Sequence, residues 1–173
     1  REQLGALLDG GVHVVIFETF LEVEELALAL RAKQSLHHCP AIASFACTEE
    51  GRLPDGTPLA DAWCKLSDLG ADVVGANCVN GPRHMVRLFP RLPASGAISA
   101  FPNAGRPRYF NGRFLYYTTP EYFAESARQL AAQGAKLIGG CCGIGPAHIR
   151  AMVEALRETA PVHAKIAVAP IEA

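Results

Sequence analysis

The stretch Ala135-Lys-Leu-Ile-Gly-Gly-Cys-Cys-Gly-Ile-Gly-Pro146 decides the fold of this chain. Its first four residues are typical of a short buried strand, and Pro146 opens a run of helix-forming residues that ends at Leu156. Glycines fill the connection between the two, where they permit backbone angles that other residues disfavour. The stretch therefore predicts a strand followed at once by a helix, which is the repeating unit of parallel α/β proteins.

Four further units of this kind precede it along the chain. Each begins with a short apolar run and continues into an amphipathic segment. The connection that follows residue 101 is long, polar and aromatic, and it reaches Thr118. The predicted strands are 12–17, 41–46, 72–77, 97–101 and 135–138, and the predicted helices are 22–36, 57–70, 82–92, 119–134 and 146–156.

Five successive units fit two architectures, a doubly wound parallel sheet or part of a (β/α)8 barrel. A complete barrel takes about 250 residues, whereas this chain has 173. The barrel interpretation therefore requires that the first three units are absent from this chain or lie on a separate one.

Composition excludes several classes of partner. With 16 basic and 17 acidic residues the formal net charge is −1, so we expect neither nucleic acid nor an anionic membrane as a ligand. No apolar run reaches the ~18 residues of a membrane span. The chain is also too rich in core residues for a small secreted disulfide scaffold. We therefore predict reduced thiols in a cytoplasmic protein.

Two adjacent cysteines, Cys141 and Cys142, follow the last predicted strand, and Cys78 follows a strand two units earlier. Because the carboxyl ends of parallel strands meet on one rim, these three thiols could converge on a zinc ion. Three protein ligands and one open position are typical of a catalytic zinc site. A zinc ion bound by three thiolates is a weak activator of water, but it holds a further thiol ionised and nucleophilic.

Other interpretations of the cysteines compete with this one. A cysteine in an apolar core usually acts as a small hydrophobic residue, and this interpretation suits Cys39, Cys47 and Cys64. For Cys78 taken alone, the packing and the metal-binding interpretations have about equal weight. A redox pair or thiol sensor is the other functional interpretation of the adjacent cysteines.

Four motifs follow one another along the chain: Phe17-Glu-Thr-Phe20, Asp55-Gly-Thr-Pro-Leu59, Gly75-Ala-Asn-Cys78, and Gly139-Gly-Cys-Cys-Gly143 with Pro146, His148 and Ile149. In this order they resemble the homocysteine S-methyltransferase family, and the similarity runs from about Gly11 to Leu156. Two further motifs, Phe101-Pro-Asn-Ala-Gly105 and Thr118-Thr-Pro-Glu-Tyr-Phe123, look most like bacterial enzymes of the methionine synthase branch. That branch includes a bifunctional type with a methylenetetrahydrofolate reductase domain after the methyltransferase.

The resemblance implies a (β/α)8 TIM barrel of which this chain holds about the last five units. We assign residues 1–160 to the partial barrel and 161–173 to a tail or linker. The family's N-terminal three units, which help to bind homocysteine, are absent, so we expect the isolated segment to be inactive. Parent-chain reductase, folate or corrinoid domains would lie elsewhere.

The resemblance also implies site residues. Cys78, Cys141 and Cys142 would bind Zn²⁺, and Glu18, at the end of the first strand, would pair with the α-ammonium group of homocysteine. We propose Asn103 as a possible fourth ligand before substrate arrives. Asn77 and Ser44 are predicted hydrogen-bonding groups near metal and substrate. His148 is predicted to be a packing or capping residue.

The implied reaction is methyl transfer to the thiol of homocysteine, which gives methionine. Methylfolate, S-methylmethionine, betaine or a methylcorrinoid would supply the methyl group. The alternatives are a non-catalytic zinc-binding or thiol-redox-sensing barrel fragment, and an unrelated aldolase-like barrel in which the thiols are incidental.

Overall fold

A computed structural model describes residues 1–36, 39–78, 81–92 and 96–160. The predicted tail or linker, 161–173, lies outside them. The helices are α1 (Glu2–Asp9), α2 (Val23–Gln34), α3 (Leu59–Asp68), α4 (Pro82–Leu88), α5 (Pro120–Ala132) and α6 (Pro146–Leu156). The strands are β1 (Val15–Phe20), β2 (Ala41–Phe45), β3 (Val73–Asn77), β4 (Ala97–Phe101), β5 (Arg108–Phe110), β6 (Arg113–Leu115) and β7 (Leu137–Ile138).

Five strands form one parallel sheet in the order β1-β2-β3-β4-β7. Neighbours in space are therefore neighbours among the strand–helix units along the chain, as in a barrel wall. This confirms the prediction of successive parallel units. It also brings the carboxyl ends of all five strands to one rim.

The helices cover one face of the sheet. Alternate strand residues, such as Phe17, Ala43 and Val74, are buried in the same apolar cluster as Leu26 of α2 and Trp63 of α3. The opposite face is open at its edges, where Ile16 is 48% and Leu137 39% exposed. Since a doubly wound sheet has helices on both faces, the arrangement is that of five consecutive units of a (β/α)8 barrel.

Trp63 anchors the helical layer to the sheet. Its indole Nε1–H donates to the carbonyl oxygen of Gly75 at 3.0 Å, and its ring lies edge-on to Phe89 with 6.2 Å between the centroids. The side chain is 2% exposed. The bond satisfies the one polar atom of a large buried ring, so Trp63 packs without a desolvation penalty.

Some predicted boundaries were wrong. The first strand was predicted at 12–17, whereas β1 spans Val15–Phe20. The N–H of Val12 still donates to the carbonyl oxygen of Leu7 in the turn after α1, and pairing with β2 starts only at Val15. Glu18 therefore lies within the strand and not at its end. The fourth helix was predicted to reach residue 92, but α4 ends at Leu88 and a 3₁₀ turn that contains Pro90 follows.

The connection after β4 contains a hairpin that the apolar and polar pattern of the sequence does not predict. β5 and β6 pair antiparallel across Asn111 and Gly112, whose φ angles are +47° and +77°. Positive φ at both positions is the requirement of a tight type I′ turn, for which Asn-Gly is the preferred pair. The hairpin exposes Tyr109, Phe110 and Phe114. An exposed aromatic hairpin therefore follows β4 on the side of the carboxyl rim.

No helix in the described ranges combines the length and the apolar character that crossing a membrane demands.

Candidate metal centre

The three predicted cysteines come together at the carboxyl rim. Cys78 follows β3 directly, and Cys141 and Cys142 lie in the loop between β7 and α6. The Sγ of Cys142 is 3.6 Å from that of Cys78 and 3.9 Å from that of Cys141, and all three sulfurs lie within 4.8 Å of one another. All six cysteines of the chain are free thiols.

These distances fit a tetrahedral zinc ion. Zn–S bonds of about 2.3 Å at tetrahedral angles place two sulfur ligands about 3.8 Å apart. Two of the sulfur pairs already stand at this separation, and three soft thiolates are a donor set that zinc prefers. Cys142 is exposed and the other two are half-buried, so one side of the cluster is accessible to a further ligand.

The pKa of Cys78 favours its neutral form when no cation is present. Burial raises the pKa of this thiol to about 12, and the neighbouring thiols of Cys142 and Cys141 act in the same direction. Desolvation and like charge both penalise a thiolate. A divalent cation at the centre would reverse the penalty, because ligation deprotonates a coordinating thiol.

Asn77 connects the thiols to the first two strands of the sheet. Its Oδ1 accepts hydrogen bonds from the backbone N–H of Thr19 and the hydroxyl of Ser44, each at 2.9 Å. Its Nδ2 donates to Thr19 Oγ1 at 2.6 Å and lies 3.9 Å from Cys141 Sγ. The amide is thereby held in one orientation with an N–H toward a thiol. Ser44 is connected to the centre through its hydrogen bond to Asn77.

Asn103 supports the cysteine loop in this structure. Its Oδ1 accepts a hydrogen bond from the backbone N–H of Cys142 at 3.1 Å. Two backbone hydrogen bonds join the same segments. The N–H of Ala104 donates to the carbonyl oxygen of Cys142 at 2.8 Å, and the N–H of Cys141 donates to the carbonyl oxygen of Pro102 at 2.9 Å. The oxygen that could approach a cation is thus directed to the loop that carries two of the thiols. Its role as a fourth ligand stays a prediction.

His148 has the capping role predicted for it. Its Nδ1 accepts a hydrogen bond from Gly145 N–H at 3.1 Å, so its Nε2 carries the proton and donates to the carbonyl oxygen of Thr118 at 2.8 Å. The ring also meets Phe123 edge-on. His148 therefore joins the start of α6 to the start of α5, with both ring nitrogens engaged by backbone groups.

Tyr116 covers the cysteine loop at Gly143. A Cβ atom on Gly143 would lie 2.3 Å from Cγ of the tyrosine ring, and the glycine has φ +79°. Burial and the nearby Cys142 raise the pKa of the Tyr116 hydroxyl. The loop can therefore approach this ring only with glycine at position 143.

We expect Gly143→Ala to lower the free energy of unfolding by about 1–3 kcal/mol, through the left-handed φ and the clash with Tyr116. Gly145→Ala is the matched control, since a Cβ there meets nothing within 4 Å; because Gly145 is the N-cap of α6, where alanine is less favourable than glycine, it should cost about 0.5–1 kcal/mol. Denaturant unfolding of the two variants measures both. Equal stabilities would mean that the loop does not need glycine at position 143.

A sequence model of the homocysteine S-methyltransferase family matches residues 1–156. The chain belongs to this family. It is 32% identical over 158 residues to the methionine synthase of Mycobacterium tuberculosis and 31% identical over 158 residues to that of Mycobacterium leprae. Each alignment covers 87% of this chain but 13% of the relative, so the chain spans a small part of these methionine synthases.

Among solved structures, the chain is similar to the apo form of the homocysteine methyltransferase MmuM from Escherichia coli. The TM-score is 0.68 at 27% identity, and the match covers 88% of this chain and 53% of that one. The family resemblance and the parallel α/β fold predicted from the motifs are thereby confirmed. Membership in the homocysteine S-methyltransferase family gives the thiol cluster a chemical context.

Glu18 lies on the open inner face of the partial barrel. Side chains alternate along β1, and since Phe17 is buried under the helices, Glu18 projects with Ile16 to the opposite face. The carboxylate is exposed. This position is compatible with the ammonium-binding role that the resemblance implies, which stays a prediction.

Two residues near the thiols, Thr19 and Tyr116, were not predicted from the sequence. Thr19 has φ +64° and both gives and receives hydrogen bonds with Asn77. Thr19 lies in the first family motif next to Glu18, and the charged residue is the more obvious candidate for a functional role. Tyr116 had no signal of its own, because its position depends on the hairpin.

The prediction that Cys64 is a core residue was wrong. The thiol is exposed because α3 turns the face that carries Trp63 and Leu66 toward the sheet, and Cys64 lies outside that face. Cys39, by contrast, is buried as predicted. Cys47 is half-buried, and burial raises the pKa of its thiol to about 12, which is typical of an unreactive cysteine.

Proposed function

We propose that this chain forms part of a zinc-dependent enzyme that transfers a methyl group to the thiol of homocysteine and produces methionine. The convergence of Cys78, Cys141 and Cys142 at zinc-like distances is the observation that carries the proposal. Family membership supports the choice of homocysteine. Free thiols suit a reducing compartment, so we place the reaction in the cytoplasm.

Zinc bound at the three cysteines would supply Lewis acidity that keeps an incoming thiol ionised near neutral pH. The chain's own residues hold and orient the reactants. The amide of Asn77 contacts the thiol of Cys141 and so orients it. Asn103 accepts a hydrogen bond from the backbone N–H of Cys142 and so holds the cysteine loop. Glu18, on the inner face, would pair with the substrate ammonium group.

Methyl transfer is a displacement. The homocysteine sulfur forms a bond to the methyl carbon while the bond from that carbon to the donor breaks, and the electron pair of the broken bond leaves with the donor. The protein's contribution is orientation of the two reactants in line, together with ionisation of the sulfur. The donor candidates are methylfolate, S-methylmethionine, betaine and a methylcorrinoid, and the last could be carried by another domain of a longer parent chain.

Metal removal tests the proposal in the longest natural chain that contains this segment. Each donor is incubated with homocysteine, and methionine is quantified by mass spectrometry. We expect methionine with at least one donor, loss of activity after chelation, and recovery with added Zn²⁺. Zinc binding without methionine from any donor would instead favour the alternative of a non-catalytic or thiol-sensing barrel.

A further inference from the structure

The carboxyl end of β1 contains one residue more than the strand beside it. β1 and β2 pair in regular parallel register up to Phe17, and the register shifts before pairing resumes at Phe20. In between, two residues of β1, Glu18 and Thr19, lie opposite a single residue of β2, Ser44. This is a β-bulge, a feature that is common next to functional sites because it redirects side chains.

Thr19, within the bulge, has a backbone conformation that needs outside support. Its φ is +64°, in the left-handed region that β-branched residues disfavour, and such a φ persists only where the surrounding structure imposes it. The support comes from Asn77 on β3. The backbone N–H of Thr19 donates to Asn77 Oδ1 at 2.9 Å, and Thr19 Oγ1 accepts from Asn77 Nδ2 at 2.6 Å. One side chain from two strands away therefore holds both the backbone and the hydroxyl of Thr19.

Asn77 is itself fixed to the thiol cluster. The side chain is fully buried, its Oδ1 also accepts a hydrogen bond from the hydroxyl of Ser44, and its Nδ2 lies 3.9 Å from Cys141 Sγ. Asn77 directly precedes Cys78, whose own φ is +55°. One hydrogen-bonded unit thus joins the bulge in β1 to two of the three thiols.

The bulge also carries Glu18, the residue predicted to pair with the ammonium group of the substrate. Because Glu18 shares a peptide bond with Thr19, the conformation of Thr19 sets where the Glu18 carboxylate lies relative to the sulfurs. An amino-acid thiol that contacts both the carboxylate and a metal at the thiols must match their separation. Homocysteine has two methylene groups between Cα and sulfur, whereas cysteine has one.

We infer that Thr19 is a positioning residue, which fixes the separation between the Glu18 carboxylate and the metal centre and thereby selects homocysteine over cysteine. The inference rests on the proposed function for the identity of these two contact points. At a fixed separation, the shorter cysteine reaches one of them and leaves the other unpaired. A bulge that is free to move lets the carboxylate follow the shorter ligand, so the selection is lost.

A binding experiment tests this role without turnover. Calorimetry measures the dissociation constants of L-homocysteine and L-cysteine for the zinc-loaded form of the longest natural chain that contains this segment. We expect the wild type to prefer homocysteine about tenfold or more, since one methylene group is worth about 10–200-fold. Thr19→Val keeps the β-branched shape but removes the hydroxyl that binds Asn77. It should reduce the preference about threefold or more, mainly through weaker binding of homocysteine.

Two further variants serve as controls. Thr19→Ser restores the hydroxyl and should keep the preference within about twofold of the wild type. Thr48→Val makes the same chemical change in the loop after β2, where the hydroxyl accepts a hydrogen bond from the backbone N–H of Arg52 in its own turn, and it should leave both constants within about twofold. Circular dichroism establishes that the variants are folded. Zinc affinity in Thr19→Val should stay within about threefold, because Ser44 still orients Asn77.

The outcomes separate this inference from the proposed function. Equal weakening of both ligands by Thr19→Val would show a merely structural role and would overturn the inference. Methionine formation by the wild type, together with an unchanged preference in Thr19→Val, would contradict the inference alone. A preference that depends on Thr19, with no methionine from any donor, would contradict the proposed function and still support the inference. A wild-type chain that binds neither ligand would overturn both.

Discussion

Serine in place of Cys141 should weaken zinc binding more than a hundredfold. A structural zinc ion contributes about 10–16 kcal/mol of binding free energy, which is about 3 kcal/mol for each ligand if the ligands share it evenly. A serine hydroxyl does not ionise at neutral pH and is a poor ligand for a soft site. The sulfur of Cys141 is one of three within 4.8 Å of one another, so nothing else in the cluster replaces it.

Competition with a chromophoric chelator measures the zinc affinity, and Cys64→Ser is the control because Cys64 is an exposed thiol on α3, outside the cluster. The control should bind zinc as the wild type does. An unchanged affinity in Cys141→Ser would mean that the cluster is not the metal site, and the family's zinc chemistry could not be assigned to these residues.

Alanine in place of Asn77 should destabilise the chain by about 2–4 kcal/mol. The Asn77 side chain is fully buried, and its loss leaves the backbone N–H of Thr19 and the hydroxyl of Ser44 without their acceptor. Thr19 also loses the contact that holds it at a positive φ. With the support of Cys141 gone, zinc affinity should fall about tenfold or more.

Ser44→Ala is the graded control for this change. It removes one of the bonds to Asn77 and leaves the other donor satisfied, so the expected cost is about 1 kcal/mol. Urea unfolding measures stability and chelator competition measures affinity on the same samples. Similar values for the two variants would show that Asn77 does not organise the centre.

Much of the fold followed from local patterns. The bounds of β4 and α6 agree with the predicted 97–101 and 146–156, since an apolar run and a proline at the first helical position are strong signals. The convergence of the cysteines was also predictable, because parallel topology alone places Cys78 and Cys141 at one rim. Zinc binding by these thiols stays a prediction.

The rest depended on tertiary contacts. The Asn111-Gly112 turn is a hairpin signal, but its strands are short and carry exposed aromatic residues, so periodicity did not mark them. Tyr116 reaches the cysteine loop only because this hairpin returns the chain to the rim. Thr19 becomes important through its partner Asn77, which is 58 residues away along the sequence. Such pairings are not encoded in any local pattern.

The spacing of the thiols has a mechanical consequence. Cys78 and Cys142 are 64 positions apart in sequence, and the segments that carry them leave the sheet from β3 and β7, with β4 between them. An ion shared by them would act as a removable cross-link that closes a long loop, and closing a long loop restricts the unfolded chain more than the folded one. Removal of the ion would therefore lower the free energy of unfolding by releasing the unfolded chain, while the hydrogen bonds between β3, β4 and β7 in the folded sheet stay as they are.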